Sequence, residues 1–330
     1  MITTDVTEML GLRQPIVLAP MCGMATGQMA GAVARAGGLG LIGVGSAMLF
    51  DAAWVREQFT QAKMHARSDA EGALGLGFIT CFLTPSDPTF EASLALEPDV
   101  IFLAYGDDVA PYIEMSHAAG SKVICQVHNV SQAQSAATAN ADIIAVQGCD
   151  AGGHGQQHLS ASITTLVPQV RDAIDPDIPL LAAGGIVDGR GLAAALVLGA
   201  GGAVIGSRFV VAEESKAADT FKARIIEAKT PDDGTVVSSS FDLLSGIDWP
   251  PEYRQGRALA DSEAVTRFHR PIGAEQLHPS QQDKDWYKSS GYEARAVWVN
   301  NAVGLIDDEA PAEAITLEIA THARKLLDRF

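Results

Sequence analysis

Cysteine is scarce in this chain of 330 residues: Cys22, Cys81, Cys125 and Cys149 are widely spaced and form no C-x-x-C pair. That spacing argues against a disulfide framework and a thiolate metal site, and reduced thiols in a cytoplasmic protein are the expectation. No run approaches the roughly 18 apolar residues of a membrane span. The opening Met1-Ile2-Thr3-Thr4-Asp5 lacks the basic and apolar segments of a signal peptide. Basic residues are outnumbered, 23 Lys and Arg against 40 Asp and Glu, giving a net charge of −17. Nucleic acid and anionic membrane surfaces would be repelled, so neither is an expected partner. A small anion is still admissible, because a local ring of backbone N–H groups outweighs a distant negative surface. There is no G-x-x-x-x-G-K-[ST] loop and no G-x-S-x-G elbow. His65, His117, His128, His269, His278 and His322 show neither H-x-x-x-H spacing nor clustered ligand partners, so no metal is expected.

Apolar material is abundant, with 47% hydrophobic and 19% charged residues, which excludes global disorder. Short apolar runs alternate with helical patterns up to about residue 228. The strand candidates are Ile16–Met21, Leu39–Gly43, Ala73–Ile79, Val100–Tyr105, Lys122–Val127, Ile143–Gln147, Leu180–Ala183 and Ala203–Phe209. Several are apolar nearly throughout, as parallel strands buried on both faces require. Such alternation builds either a closed barrel or a doubly wound open sheet. The first strand ends in Pro20-Met21-Cys22-Gly23-Met24, not in a G-x-G-x-x-G turn, and glycines cluster at the last strand ends. The fold class expected is therefore a (β/α)8 TIM barrel over residues 1–230. Residues 231–330 would form a C-terminal extension, a small cap or lid packing on the barrel and lining the substrate pocket.

Six of the nine Trp and Tyr residues fall in that extension: Trp249, Tyr253, Trp286, Tyr287, Tyr292 and Trp298. It closes with an amphipathic helix carrying Ile315, Ile319, Leu326 and Phe330 on one side. The plainer interpretation is packing over the outer helices; the functional one is a lid with aromatic walls.

Two glycine turns carry the chemistry of anion binding. Ala182-Ala183-Gly184-Gly185 follows a buried strand and runs into a helix, where paired glycines let backbone N–H groups approach a phosphate at the positive helix end. Gly206-Ser207-Arg208 ends the next strand and offers further N–H donors, a hydroxyl and a cation. A single Gly-Gly pair is usually just a tight turn; two at successive strand ends favour a phosphate grip. A third segment, Gln147 to Gly155, places His154 among glycines at the barrel's C-terminal face. An imidazole there suits a general base, its ordinary pKa being about 6.5. His158 ranks second, and Cys149 is better explained as a filler thiol than as a nucleophile.

Taken together, Pro15 to Met21, Ala36-Gly37-Gly38-Leu39-Gly40, the Gln147–His154 loop, Ala182 to Ile186 and Gly206 to Phe209 resemble the nitronate monooxygenase family of FMN-dependent barrels. Gly256 to Leu259 and Val303 to Ile306 also look like pieces of its C-terminal region. The resemblance implies FMN as cofactor, with Ala19, Pro20 and Met21 by the reactive edge of the isoalloxazine and Gln126 and Gln147 at its polar side. It also implies that Gly152, Gly184, Gly185, Gly206 and Ser207 hold the ribityl phosphate or its approach, and that His154 is the active-site histidine. The implied reaction is oxidation of alkyl nitronates, such as propionate 3-nitronate, by O2 to a carbonyl product and nitrite. One position departs from the pattern: Gly77 stands where better-studied bacterial members carry Asn, which removes a polar contact and suggests a branch nearer the fungal-type members. An NAD(P)H-dependent flavin reductase or enoyl-reductase-like barrel, and a flavin-binding protein without turnover, are the competing expectations. A homo-oligomer is compatible with the sequence, which leaves the assembly state open.

Overall fold

The computed structural model describes residues 1–46, 48–66, 72–156, 160–228, 234–270, 276–291 and 294–329. The chain enters through helix α1 (Asp5–Leu10) and strand β1 (Ile16–Leu18). There follow α2 (Gly27–Arg35), β2 (Leu39–Gly45), α3 (Ala52–Ala66), β3 (Ala73–Ile79), α4 (Pro88–Leu94) and β4 (Val100–Ala104). Next come α5 (Ala110–Ala118), β5 (Lys122–Val127), α6 (Val130–Thr138), β6 (Ile143–Gln147), β7 (Gly153–His154), α7 (Ile163–Ala173) and β8 (Leu180–Ala183). The barrel segment ends with α8 (Gly189–Val197), β9 (Ala203–Ile205) and α9 (Ser207–Val210). Beyond it lie α10 (Asp219–Glu227), β10 (Thr235–Ser238), α11 (Ser240–Ser245), β11 (Gly256–Leu259), α12 (Glu263–Phe268), α13 (Gln281–Ser289) and α14 (Ala312–Leu327).

Strands β1 to β6, β8 and β9 close into a barrel, with β9 pairing β1 in parallel through Ile16↔Ala203 and Leu18↔Ile205. This is the expected (β/α)8 TIM barrel. Its strands are buried on both faces, which is why they read as continuous apolar runs. Val17, Leu41, Phe102, Ile124, Leu181 and Val204 fill the lumen, and Val6 within α1 and Leu12 just after it plug one end. The opposite faces, with Ile16, Leu76, Leu103 and Ile144 among them, pack on the surrounding helices.

Three strands are shorter than their apolar runs. β1 stops at Leu18, because Pro20 has no N–H for the ladder and Met21 N–H already turns back to the Ala19 carbonyl. β4 stops at Ala104, since Tyr105 takes a left-handed conformation (φ 63°). The run Ala203–Phe209 is strand only to Ile205; from Ser207 it is helix, with Phe209 N–H bonded to the Gly206 carbonyl.

The closing helix packs against α8 and α2, so it completes the outer ring beside the first and last crossovers. Ala312, Ile315, Ile319 and Ala323 are its buried face, Leu326 packs at the margin, and Phe330 lies outside the described residues. The aromatic segment is thus threaded between β9 and this returning helix. The division at residue 230 also falls outside the described residues. A small antiparallel sheet, β10-β11-β7, ties the segment to the barrel: Gly256 pairs with His154 and Arg257 with Gly153.

Candidate active site

At the C-terminal ends of β8 and β9, Gly184 (φ 103°) and Gly185 (φ 72°) sit in the left-handed region, which disfavours any side chain. Among the described residues, the amides of Gly185, Gly206 and Ser207 donate to no backbone carbonyl. Ser207 Oγ accepts from Asn300 N–H at 2.9 Å and keeps its own proton to donate. Donors of this kind at two neighbouring strand ends fit a phosphate. Two details differ from the sequence reading. Asp188 caps α8 by accepting from the Arg190 and Gly191 amides, so the glycine turn, and not the helix terminus, is the open donor set. The Arg208 guanidinium turns away to Asp308, bonding its carbonyl at 2.9 Å and its carboxylate at 2.7 Å.

Gly152 serves packing: a Cβ there would lie 2.4 Å from the Val299 carbonyl carbon and 2.6 Å from Asn300 N. The same Asn300 caps Ser207, so the β6 loop, the aromatic segment and the β9 turn are fastened at one point. Ala19 and Met21 reach the grip, with Ala19 Cβ 3.4 Å and Met21 Sδ 3.7 Å from the Cβ position of Gly206. Pro20 covers Gly77, where a Cβ would fall 2.2 Å from Pro20 Cβ and 2.5 Å from its Cγ. Any side chain at position 77 would therefore meet the proline ring, which occupies the space.

Gln126 and Gln147 meet across the mouth, Gln126 Nε2 donating to Gln147 Oε1 at 3.2 Å. The same oxygen lies 2.6 Å from His128 Nε2, a residue that sequence reasoning set aside with the non-metal histidines. Burial pushes the His128 imidazole down to about 4, against the opposing pull of its bonds to Gln147 and Gln132. Tyr105 stacks beside it, ring centroids 5.8 Å apart, and burial pushes its phenol up to about 12 despite a bond with Gln126. Both rings are therefore neutral near pH 7. The position of His128 just past a strand end, two residues from Gln126, was the signal available; nothing marked Tyr105.

A buried neutral histidine makes stability pH-dependent. Its proton affinity is lower folded than unfolded, so its contribution is complete above the unfolded value of 6.5 and is lost as pH falls toward the folded value of about 4. Between about pH 7 and about pH 5, wild type should lose about 2 kcal/mol more stability than a His128→Asn variant. Urea unfolding of both proteins at the two pH values measures the difference; equal losses would show that His128 is not the group responsible.

His154 is held from the aromatic segment. Its Nε2 lies 2.8 Å from Asp242 Oδ2 on α11, and its ring stacks on Trp249 at 3.9 Å and 19°. Trp298 lies 5.2 Å from the ring, fitting over Gly256, where a Cβ would strike the indole at 2.5 Å. The Tyr105 hydroxyl donates to the His154 carbonyl at 3.3 Å, and Tyr253 packs against both Tyr105 and His128. Trp249, Tyr253 and Trp298 thus pack around His154 and the Tyr105–His128 pair, while Trp286 and Tyr287 pack with Phe268. His158 and Tyr292 lie outside the described residues. Asp242 carried no sequence signal, because nothing near Ser239-Ser240-Phe241 indicates that α11 faces the β6 loop. A surface groove of about 370 Å³ lined by Leu317, Glu318, Thr321, His322 and Lys325 lies on the closing helix, away from these residues.

Glycine turns with open amides, a glutamine–histidine cluster and a histidine held by Asp242 thus gather at one mouth of a parallel barrel, as in a barrel enzyme. The sequence pattern of the nitronate monooxygenase family matches residues 82–245. A nitronate monooxygenase of Neurospora crassa is 32% identical, the match covering 96% of this chain and 91% of that protein. A (3aS,4S,5R,7aS)-5-hydroxy-7a-methyl-1-oxo-octahydro-1H-indene-4-carboxyl-CoA dehydrogenase of Mycobacterium tuberculosis is 33% identical over 72% of this chain and 64% of its own length. The solved structure of FabK from Thermotoga maritima superposes with a TM-score of 0.81 at 27% identity, covering 100% of this chain and 98% of that one. The chain belongs to the nitronate monooxygenase family, and is accordingly a flavin-dependent oxidoreductase.

Proposed function

We propose that the protein oxidises alkyl nitronates with O2 to a carbonyl product and nitrite, with FMN as the flavin. The observation that carries this is His154, fixed over the barrel mouth in a chain of this family, between Asp242 and Trp249. The amides of Gly184, Gly185, Gly206 and Ser207 and the Ser207 hydroxyl would hold the cofactor's phosphate. Ala19, Pro20 and Met21, packed over Gly77, would line its reactive edge, and Gln126 and Gln147 its polar side. FMN, when bound, supplies the acceptor for the substrate's electrons and the chemistry with O2. His154 orients the nitro group, or accepts the α-proton when the substrate arrives as the neutral nitroalkane. Trp249, Trp298, Tyr105 and Tyr253 receive the alkyl chain and exclude water.

Anaerobic mixing of the purified flavoprotein with propionate 3-nitronate, and with an unsubstituted alkyl nitronate, should bleach the flavin absorbance. Unchanged absorbance with both would sink this function. The dehydrogenase relative supports a second reading, a barrel that exchanges hydride with NAD(P)H. Fast bleaching by NAD(P)H combined with none by the nitronates would favour it.

A further inference from the structure

We propose that Asp242 is a positioning residue that fixes the Nε2–H tautomer of His154, leaving Nδ1 as the basic atom, so that docking of the cap completes the base. The inference rests on the oxidase reading above for its kinetics, but not for its tautomer. An ionised carboxylate only accepts hydrogen bonds, so a neutral imidazole facing it at 2.8 Å must carry its proton on Nε2. Among the described residues no other atom bonds to a ring nitrogen of His154, and no Lys or Arg pairs with Asp242. Both side chains are largely buried, at 13% exposure for His154 and 8% for Asp242. A buried carboxylate with one polar partner is costly unless that partner turns a proton toward it.

The other contacts hold the ring in the same pose. Trp249 stacks on one face, and the pairing of His154 with Gly256 holds its backbone. Asp242, Trp249 and Gly256 all come from the segment between β9 and α14, whereas His154 comes from the loop after β6. Neither part alone contains the dyad. In the step this serves, the C–H bond at the α-carbon of a nitroalkane breaks. Its proton passes to Nδ1, its electron pair moves onto the nitro group to give the nitronate, and the imidazolium is balanced by Asp242. No oxidant is consumed at this stage.

The proposal is tested by ¹⁵N NMR of the histidine ring nitrogens in the purified flavoprotein, with kinetics alongside. Wild type should show His154 protonated at Nε2 and bare at Nδ1. Asp242→Asn, whose amide can donate, should move the proton to Nδ1 or mix the two forms, and Asp242→Glu should restore Nε2–H. Turnover of a neutral nitroalkane should fall about 100-fold in Asp242→Asn, and turnover of the preformed nitronate by under about tenfold. A tautomer unchanged in Asp242→Asn, or equal losses on the two substrates, would overturn the proposal and leave Asp242 as a tie between loop and cap. The NMR result is read without turnover, so its failure is separate from failure of the oxidase reading.

Discussion

Replacing His154 with alanine lowers turnover of a neutral nitroalkane by about 10²–10⁴-fold, or about 3–5 kcal/mol of barrier. The size follows from the role proposed for it: a positioned base is worth that much, and among the described residues no second imidazole bonds to Asp242. His128 does not substitute, because burial makes its imidazole a weak base and Gln147 engages its Nε2. The phosphate grip proposed for Gly184, Gly185, Gly206 and Ser207 does not include His154, so His154→Ala should bind flavin as wild type does. Nitrite release and O2 uptake with nitroalkane and with preformed nitronate, normalised to bound flavin, measure the effect. Retention of full flavin-dependent activity would mean that the imidazole has no catalytic role.

Gly77→Asn should not add a working polar contact at this position. The proline ring of residue 20 stands 2.2 Å from the Cβ that any side chain would add, far inside contact distance. A proline ring on a strand end has no rotamer by which to withdraw, so the backbone of Ala19 to Met21 must shift. Overpacking of this kind costs about 3 kcal/mol, the upper part of the usual range. The shift would also pull Ala19 and Met21 from Gly206, so flavin content should fall together with stability. Thermal unfolding and the flavin-to-protein absorbance ratio test both effects. An Asn variant as stable and as flavin-loaded as wild type would show that Pro20 moves freely and that the glycine is not sterically required.

The barrel was legible in the sequence because its signals are local. A parallel strand buried on both faces must be apolar along its length, and Ala73–Ile79, Lys122–Val127, Ile143–Gln147 and Leu180–Ala183 were bounded correctly on that basis. Where strands ended before their apolar runs, a feature other than hydrophobicity decided: Pro20 without a donor, Tyr105 in a left-handed conformation, and the turn into helix at Ser207; β2 instead ran past the expected Gly43 to Gly45. The glycine turns were visible because an N–H approach needs residues without side chains. Their surroundings were not, since the capture of Arg208 by Asp308 spans 100 positions of chain.

Sequence alone determined the parallel barrel, the two glycine turns and the histidine among glycines after β6. Each follows from residue types within a few positions of one another. Tertiary structure decided what His154 is joined to. Asp242 and Trp249 lie 88 and 95 positions further along the chain, and α11 carries no pattern that names its partner. Their contact exists because β11 adds to β7 and α14 returns to the outer ring, which fixes both ends of the intervening segment over the mouth. Hydrophobic periodicity sets which face of an element is buried; it does not set which distant side chain shares a hydrogen bond. The fold was therefore local information, and the chemistry of the site was not.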